Sequence, residues 1–141
     1  RAVVALVSHI DLGPTLLEAA SIQTPQSMQG RSSIALLEKG EAAGAEKDAL
    51  IQISESMTGR ALRTPQWAYV VATRDGNSHR AAPEYVEYQL YDLLADPHQL
   101  VNLAGRRETR EVAARLRLHL LEKMAEAGEE KADILPAALY P

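Results

Sequence analysis

Residues 84–94 read EYVEYQLYDLL, and the fold turns on how that stretch alternates. Val86, Tyr88, Leu90 and Asp92 fall on one side of a two-residue period, and Glu87, Gln89, Tyr91 and Leu93 on the other. One face is mostly apolar and the other mixed, the pattern of a strand that is half-buried or near a sheet edge. Upstream, residues 67–73 (WAYVVAT) are aromatic and β-branched and run into the turn signal Asp75-Gly76-Asn77, which predicts a second strand. Leu50, Ile51 and Ile53 mark another near 50–54. Downstream, Asp96-Pro97 breaks the pattern, and Asn102-Leu103-Ala104-Gly105 leads into an Ala-, Leu-, Glu- and Arg-rich run from Glu108 to about Ala127. There Val112, Leu116, Leu120 and Met124 recur every four residues, with Leu121 beside them, as on the buried face of a helix. The expectation is a small antiparallel sheet with packed helices, an α+β arrangement. Strands near 50–54, 67–73 and 86–93 share the sheet, and Tyr88, Leu90, Val112, Leu116 and Leu120 are buried together. The tail from Gly128 is charged and then proline-bounded, which predicts a course over the surface.

Towards the N-terminus, Ala2 to Val7 (AVVALV) reads as a short buried strand. Asp11 is placed to N-cap a helix reaching about Ala20, with Pro14 in its first turn. Leu12, Leu16 and Ala19/Ala20 make its buried face, Leu17 borders that face, and Ser21 stands where glycine commonly ends a helix. Gln23 to Arg31 reads as a loop. Ser32 to Glu38 reads as a short helical or irregular turn with Leu36 and Leu37 facing inward. Gly40 to Asp48 (GEAAGAEKD) is small and charged, an exposed connection that divides the chain into 1–40 and 41–141.

The chain has 141 residues, 46% apolar and 24% charged, with a formal net charge of −4. A chain of this length buries roughly 68% of its unfolded surface, enough for a core. The acidic balance argues against a nucleic-acid partner. The run Ala2 to Val7 is far shorter than the roughly 20 apolar residues of a membrane span, so no membrane partner is expected. No basic segment with a cleavage site precedes it, so no signal peptide is visible, and a chain that opens on Arg1 leaves room for a segment upstream. Cysteine is absent, which excludes disulfides, thiolate zinc sites and cysteine nucleophiles but leaves the compartment open.

Candidate chemistry is sparse. His9, His79, His98 and His119 do not pair at metal-ligand spacing. His119 reads as a helix-flank or surface residue, and His98 as a capping or exposed loop residue. No phosphate-binding glycine loop occurs, nor a G-x-S-x-G elbow. Gly59 reads as an isolated turn glycine and Glu129-Glu130 as a solvated run. The residues alone describe a folded domain with no catalytic, cofactor-binding or metal-binding residue of its own, and its substrate-binding residues are unknown.

Two regions stand above this background. One is VSHIDLGPTLLEAASI (Val7 to Ile22), followed by Met28-Gln29-Gly30-Arg31-Ser32. The other is YQLYDLLADPHQLVNLA (Tyr88 to Ala104), preceded by ALRTPQWAYVV (Ala61 to Val71). In this order they resemble the C-terminal part of the sulfatase family, within the alkaline-phosphatase-like superfamily. That family writes them roughly as D-l-x-P-T-L-L, m-x-G-x-S, R-t-x-x-x-k-Y and L-Y-D-L-x-x-D-P-x-E-x-x-N-L. The resemblance runs from Val7 to about Met124. Each motif residue also has a structural reading. Asp11 caps a helix, Gly30 relaxes a tight turn, Tyr88 and Leu90 pack one sheet face, Asp96 before Pro97 stops the strand, and Asn102 caps or bridges the following loop. Gln99, Gln89, Ser21 and Ala68 depart from the family pattern, which leaves subfamily and substrate unread.

The resemblance implies sulfate-ester hydrolysis at a divalent metal, usually calcium, with a formylglycine made from Cys or Ser in a C/S-x-P-x-R motif. In the family those residues precede the segment that holds Asp11, so none transfers to this chain. Ser56-Met57-Thr58-Gly59-Arg60 comes nearest to the motif but lacks its proline. The chain is therefore expected to be the C-terminal portion of a sulfatase, inactive alone, completing the fold and the rim of the substrate pocket. Residues 1–40 would end the large domain and residues 41–141 would form the C-terminal subdomain. Its partner is then the missing N-terminal catalytic domain, and without that cover Ala2–Ile22 is expected to fray or self-associate. Two alternatives stand beside this: the equivalent portion of a phosphonate monoester or phosphodiester hydrolase, and a free-standing non-enzymatic binding domain.

Overall fold

A computed structural model describes residues 5–40 and 48–140. The chain forms two compact units, Arg1–Ala49 and Leu50–Pro141.

In the first unit, an isolated bridge at Leu6 is what the described residues show of the expected strand, and residues 2–4 of that run lie outside the described residues. A 3-10 turn, His9–Asp11, leads into helix α1, Leu12–Ala19. Asp11 stands at the N-cap position of α1, as expected, but in helical conformation and with no side-chain cap bond, while Ser8, in extended conformation, caps the preceding 3-10 turn. Asp11 sits at the third position of the turn and reaches back, its Oδ2 accepting the Ser8 N–H at 3.0 Å, as the acid of a capping box does. Pro14 falls in the first turn, as expected, and is buried. At the other end Ser21 takes the left-handed conformation, φ 59°. Its N–H donates to Glu18 O at 2.9 Å and the Ile22 N–H to Leu17 O at 2.8 Å, a Schellman arrangement. The expected buried face does not form: Leu12 is 56% and Leu16 70% exposed, and Ala19 and Ala20 are exposed too. The other helix among the described residues of this unit, α2 (Ile34–Lys39), buries Leu36 but leaves Leu37 exposed, so it offers α1 little apolar surface. Gly40 ends α2 at φ 81° and is buried, and residues 41–47 of the expected connection lie outside the described residues.

The second unit is a five-stranded sheet in the order β1-β2-β3-β4-β5. Its strands are β1 Ala49–Ile53, β2 Gly59–Arg63, β3 Trp67–Ala72, β4 Glu84–Asp92 and β5 Asp133–Leu135. Helix α3, Arg110–Glu126, follows a 3-10 turn at Arg107–Thr109 and buries Ala113, Leu116, Leu120 and Met124, with Val112 partly covered. These side chains pack with Leu62, Tyr69, Val71, Tyr85, Leu90 and Ile134 of the sheet. The α+β class holds, with a mixed sheet. Strands β2, β3 and β4 pair antiparallel, whereas β5 pairs parallel to β4. A parallel neighbour needs a crossover, and α3 supplies it. The tail is therefore not a surface strand throughout: Ala132 and Ile134 are buried.

Strand β2 corrects the reading of Gly59. That residue opens the strand opposite Ala72, and a Cβ there would lie 3.1 Å from Val71 O, so glycine allows a close approach of backbone. A second correction concerns Tyr88. The register of β3 against β4 moves from Val70↔Gln89 to Val71↔Glu87, leaving Tyr88 as the extra residue of a bulge. The alternation changes phase there. Tyr85, Glu87 and Leu90 turn inward while Tyr88 is 51% exposed. Beyond the short β5, the free edge of β4 is closed by Asn102, whose Oδ1 accepts the Leu90 N–H at 3.0 Å and whose Nδ2 donates to Tyr88 O at 3.0 Å. Asn102 thus bridges, as one of its two sequence readings held, and blunts an edge that would otherwise invite pairing.

Candidate functional site

The motif residues first explain themselves as joints. In the first unit Asp11 is buried, and its Oδ1 accepts the Arg31 N–H at 2.9 Å while Oδ2 takes the Ser8 N–H. Thr15 Oγ1 accepts the Ser33 N–H at 2.9 Å. A Cβ at position 30 would lie 2.0 Å from Ile10 O. Gly30 is required by this close approach and not by the tight turn expected from sequence. Two motifs separated in the chain are therefore stitched together by one carboxylate, one hydroxyl and one missing Cβ.

In the second unit two buried ionic groups hold the sheet. Arg60, 1% exposed, donates from Nε to both oxygens of Glu129 at 2.7 and 2.8 Å, from Nη1 to Gly59 O and from Nη2 to Arg80 O. Its guanidinium also lies 5.8 Å from the Tyr85 ring centroid, within cation–π range. Glu129 is thus no solvated residue, and Arg60, nearest in sequence to the arginine of a C/S-x-P-x-R motif, is a structural cation. On β4, Glu87 Oε1 accepts the Tyr69 hydroxyl at 3.0 Å, Oε2 accepts the Ala137 N–H at 3.0 Å, and Arg117 Nη1 stands 3.6 Å away. Burial, then the charge and hydrogen bond of Glu87, push the Tyr69 phenol far above its ordinary range.

One part of the second unit that offers polar groups outward is the β3–β4 connection, Thr73 to Pro83. Antiparallel neighbours are joined by about 2–5 residues in an ordinary hairpin, so this connection is long. It is also fixed. Thr58, fully buried, donates its hydroxyl to Asn77 O at 2.9 Å and accepts the His79 N–H at 2.6 Å. Arg60 holds Arg80 O at 2.8 Å, and the Ser78 hydroxyl donates to Ser54 O. At the tip Asp75 Oδ1 accepts the Asn77 N–H at 3.1 Å, Oδ2 accepts Asn77 Nδ2 at 3.1 Å, and His79 Nε2 lies 3.4 Å from Oδ2. The Thr73 hydroxyl, then the two Asn77 amides, hold the Asp75 carboxyl down at about 2. Arg74, Asp75, His79, Pro83 and Glu84 line an open concavity of about 450 Å³.

The other histidines stay apart. His9 begins the 3-10 turn and is exposed, His98 is exposed in the loop after β4, and His119 is half-buried on α3. In that loop Asp96 Oδ2 accepts the Val101 N–H at 2.8 Å, and the backbone amides of Leu100 and Val101 lower its carboxyl. Among the described residues no three His, Asp or Glu side chains converge as a metal site. No helix among them is long and apolar enough to cross a membrane. Sequence reasoning missed the anchored loop because its anchors, Thr58 and Arg60, lie in a strand flank that carried no periodic pattern.

Residues 1–126 match the family described as N-sulphoglucosamine sulphohydrolase, C-terminal, and the chain belongs to it. Arylsulfatase K of Xenopus laevis is 34% identical over 110 residues, which cover 71% of this chain and 19% of that protein. A protein solved in complex with its substrate D-glucosamine-2-N,6-O-disulfate has a TM-score of 0.69 at 24% identity, over 84% of this chain and 24% of that one. Phosphonate monoester hydrolase of Agrobacterium radiobacter shares the fold with a TM-score of 0.61 at 21% identity, over 82% of this chain and 24% of that one. The chain thus spans about a fifth of the length of the arylsulfatase K it matches.

Proposed function

We propose that this chain is the C-terminal portion of a sulfatase that completes the fold of an N-terminal catalytic domain and forms the rim of its substrate pocket. The observation that carries the reading is the family match over residues 1–126, in a chain without a cysteine and without a serine in C/S-x-P-x-R. The calcium and formylglycine of the family then belong upstream. No catalytic step is assigned to a residue here, and the chain alone is inactive. Residues 1–40 end the large domain and 41–141 form the C-terminal subdomain. Exposed apolar side chains in the first unit, Val7, Ile10, Leu12, Leu16 and Ile22, support a covering partner. Left uncovered, the segment Ala2–Ile22 frays or pairs with a second copy, which light scattering over a concentration series would register.

The fold shared with a phosphonate monoester hydrolase favours a second reading, in which the intact protein cleaves phosphonate or phosphate esters. Turnover of a chromogenic aryl sulfate and of the matching phosphonate monoester, each with added calcium, separates the two. The expected result is aryl sulfate hydrolysis by the intact protein and none by the 141-residue chain. Turnover by the short chain that survives further purification would sink the reading. An intact protein that prefers the phosphonate would establish the second.

A further inference from the structure

We propose that residues 129–140 form a clasp on the second unit, one piece hinged at Gly128 that opens and closes while the sheet and α3 stay folded. Open, it uncovers the β4 edge at Glu84–Val86 and the carboxylate of Glu87.

Three observations carry this. First, the tail is an addition to a core that closes without it. The family match ends at residue 126, and Ala113, Leu116, Leu120 and Met124 of α3 already pack on Leu62, Tyr69, Val71 and Leu90. The tail adds Ala132 and Ile134 to that cluster. Strand β5 is three residues long and stands at the sheet edge, so its departure breaks no other strand pairing. Second, the tail is fastened at separate points. Glu129 takes Nε of Arg60, the Asp133 N–H donates to Pro83 O at 2.9 Å, the Ala137 N–H to Glu87 Oε2 at 3.0 Å and the Tyr140 N–H to Gly105 O at 2.8 Å. A Cβ at position 105 would collide with Ala138 O, so the body receives the tail there only as glycine. Side chains do little at the far end. Leu139 is 56% and Tyr140 72% exposed, and a cavity of about 70 Å³ lined by Glu87, Arg110, Ala137 and Leu139 remains beneath them. Discrete bonds with few buried apolar contacts mark a segment that opens at a lower free energy than the whole fold. Third, the groups left behind keep other partners. Glu87 Oε1 still accepts the Tyr69 hydroxyl and faces Arg117, and Arg60 still donates to Gly59 O and Arg80 O. Opening therefore strands no buried charge without a hydrogen bond, the cost that would otherwise tie the tail to the fold. The hinge is free as well: Gly128 has φ 78°, and among the described residues nothing lies within 4 Å of where a Cβ would stand. A glycine in open space rotates without a steric penalty.

Native-state hydrogen exchange of the 141-residue chain, in a series of low urea concentrations, tests the clasp. The Asp133, Ala137 and Tyr140 amides should share one protection factor within about threefold, at least about tenfold below that of Leu120. Their urea dependence should be weaker, because the opening exposes less surface than unfolding does. The register that sets Glu84 opposite Asp133 also offers a lock. In a chain without cysteine, Glu84→Cys with Asp133→Cys allows one intrachain disulfide. Oxidation should raise protection of the Ala137 and Tyr140 amides, which lie beyond the lock, about tenfold or more, and reduction should reverse it. Tail amides with the protection and urea dependence of Leu120 would overturn the proposal, since the tail then opens only with the core. Protection falling stepwise from Asp133 to Tyr140, with Ala137 and Tyr140 unmoved by oxidation, would overturn it too, because the tail then frays from its end. If the pair stays reduced, the wild-type series decides by the same criteria.

Discussion

Replacing Glu129 with glutamine asks what the buried Arg60 does when its charge partner is gone. The Arg60 side chain is 1% exposed and that of Glu129 15%, and the two are joined through Nε by contacts of 2.7 and 2.8 Å. Removing one member of a buried pair typically costs about 3–5 kcal/mol, because the remaining charge has lost its solvent and its partner together. Two features keep the expected value at the lower end, about 3 kcal/mol. Gly59 O and Arg80 O still accept from the guanidinium, and the Tyr85 ring still faces it. The loss is large against a total stability of about 5–15 kcal/mol. Urea unfolding of the 141-residue chain, followed by near-ultraviolet signal from Trp67 and the tyrosines, measures it. A companion variant, Arg60→Met with Glu129→Leu, removes both charges and should recover much of the loss, since a well-packed apolar replacement of a buried pair is often neutral. A cost below about 0.5 kcal/mol for Glu129→Gln, the range of an ordinary surface change, would refute the reasoning.

Leu116→Ala should cost about 2–5 kcal/mol, whereas Tyr88→Ala should cost under about 1 kcal/mol because the bulge leaves that ring 51% exposed; urea midpoints of the two variants check the contrast. Ser21→Gly should stabilise the chain by about 1 kcal/mol, since a residue with a Cβ is strained at φ 59°, and a thermal midpoint that falls would contradict this. The folded-state carboxyl of Asp75 lies below its ordinary 3.8, so whatever it contributes to the loop is complete above that value and is lost as pH falls through about 2. Carbon-13 titration of its carboxyl should show that low midpoint, and a midpoint near 4 would mean that neither the Thr73 hydroxyl nor the Asn77 amides hold the carboxylate.

Helix α3 and strands β3 and β4 were legible because their signals are local: a four-residue stripe from Val112 to Met124, and aromatic or β-branched runs beside turn residues. The phase of β4 was not. Val86, Tyr88 and Leu90 keep a perfect alternation in sequence, but the extra residue in the bulge reverses which neighbours point inward, and Tyr85 replaces Tyr88 in the core. Strand β2, GRALR, reads as polar because its buried arginine is matched by a glutamate in the tail, a pairing no local pattern announces. Asp11 was singled out, yet its main long-range bond is to the Arg31 amide, across two segments whose approach Gly30 permits. The same holds for the candidate site. Arg74, Asp75 and His79 look like ordinary turn residues until Thr58 and Arg60 are seen to pin the loop that carries them.

The claim that this chain completes a catalytic domain whose chemistry lies upstream is tested most directly by peptide mass mapping of the intact protein isolated from its source. The account predicts a formylglycine in a C/S-x-P-x-R peptide on the N-terminal side of Arg1. An intact protein carrying no such residue upstream of Arg1 would contradict it.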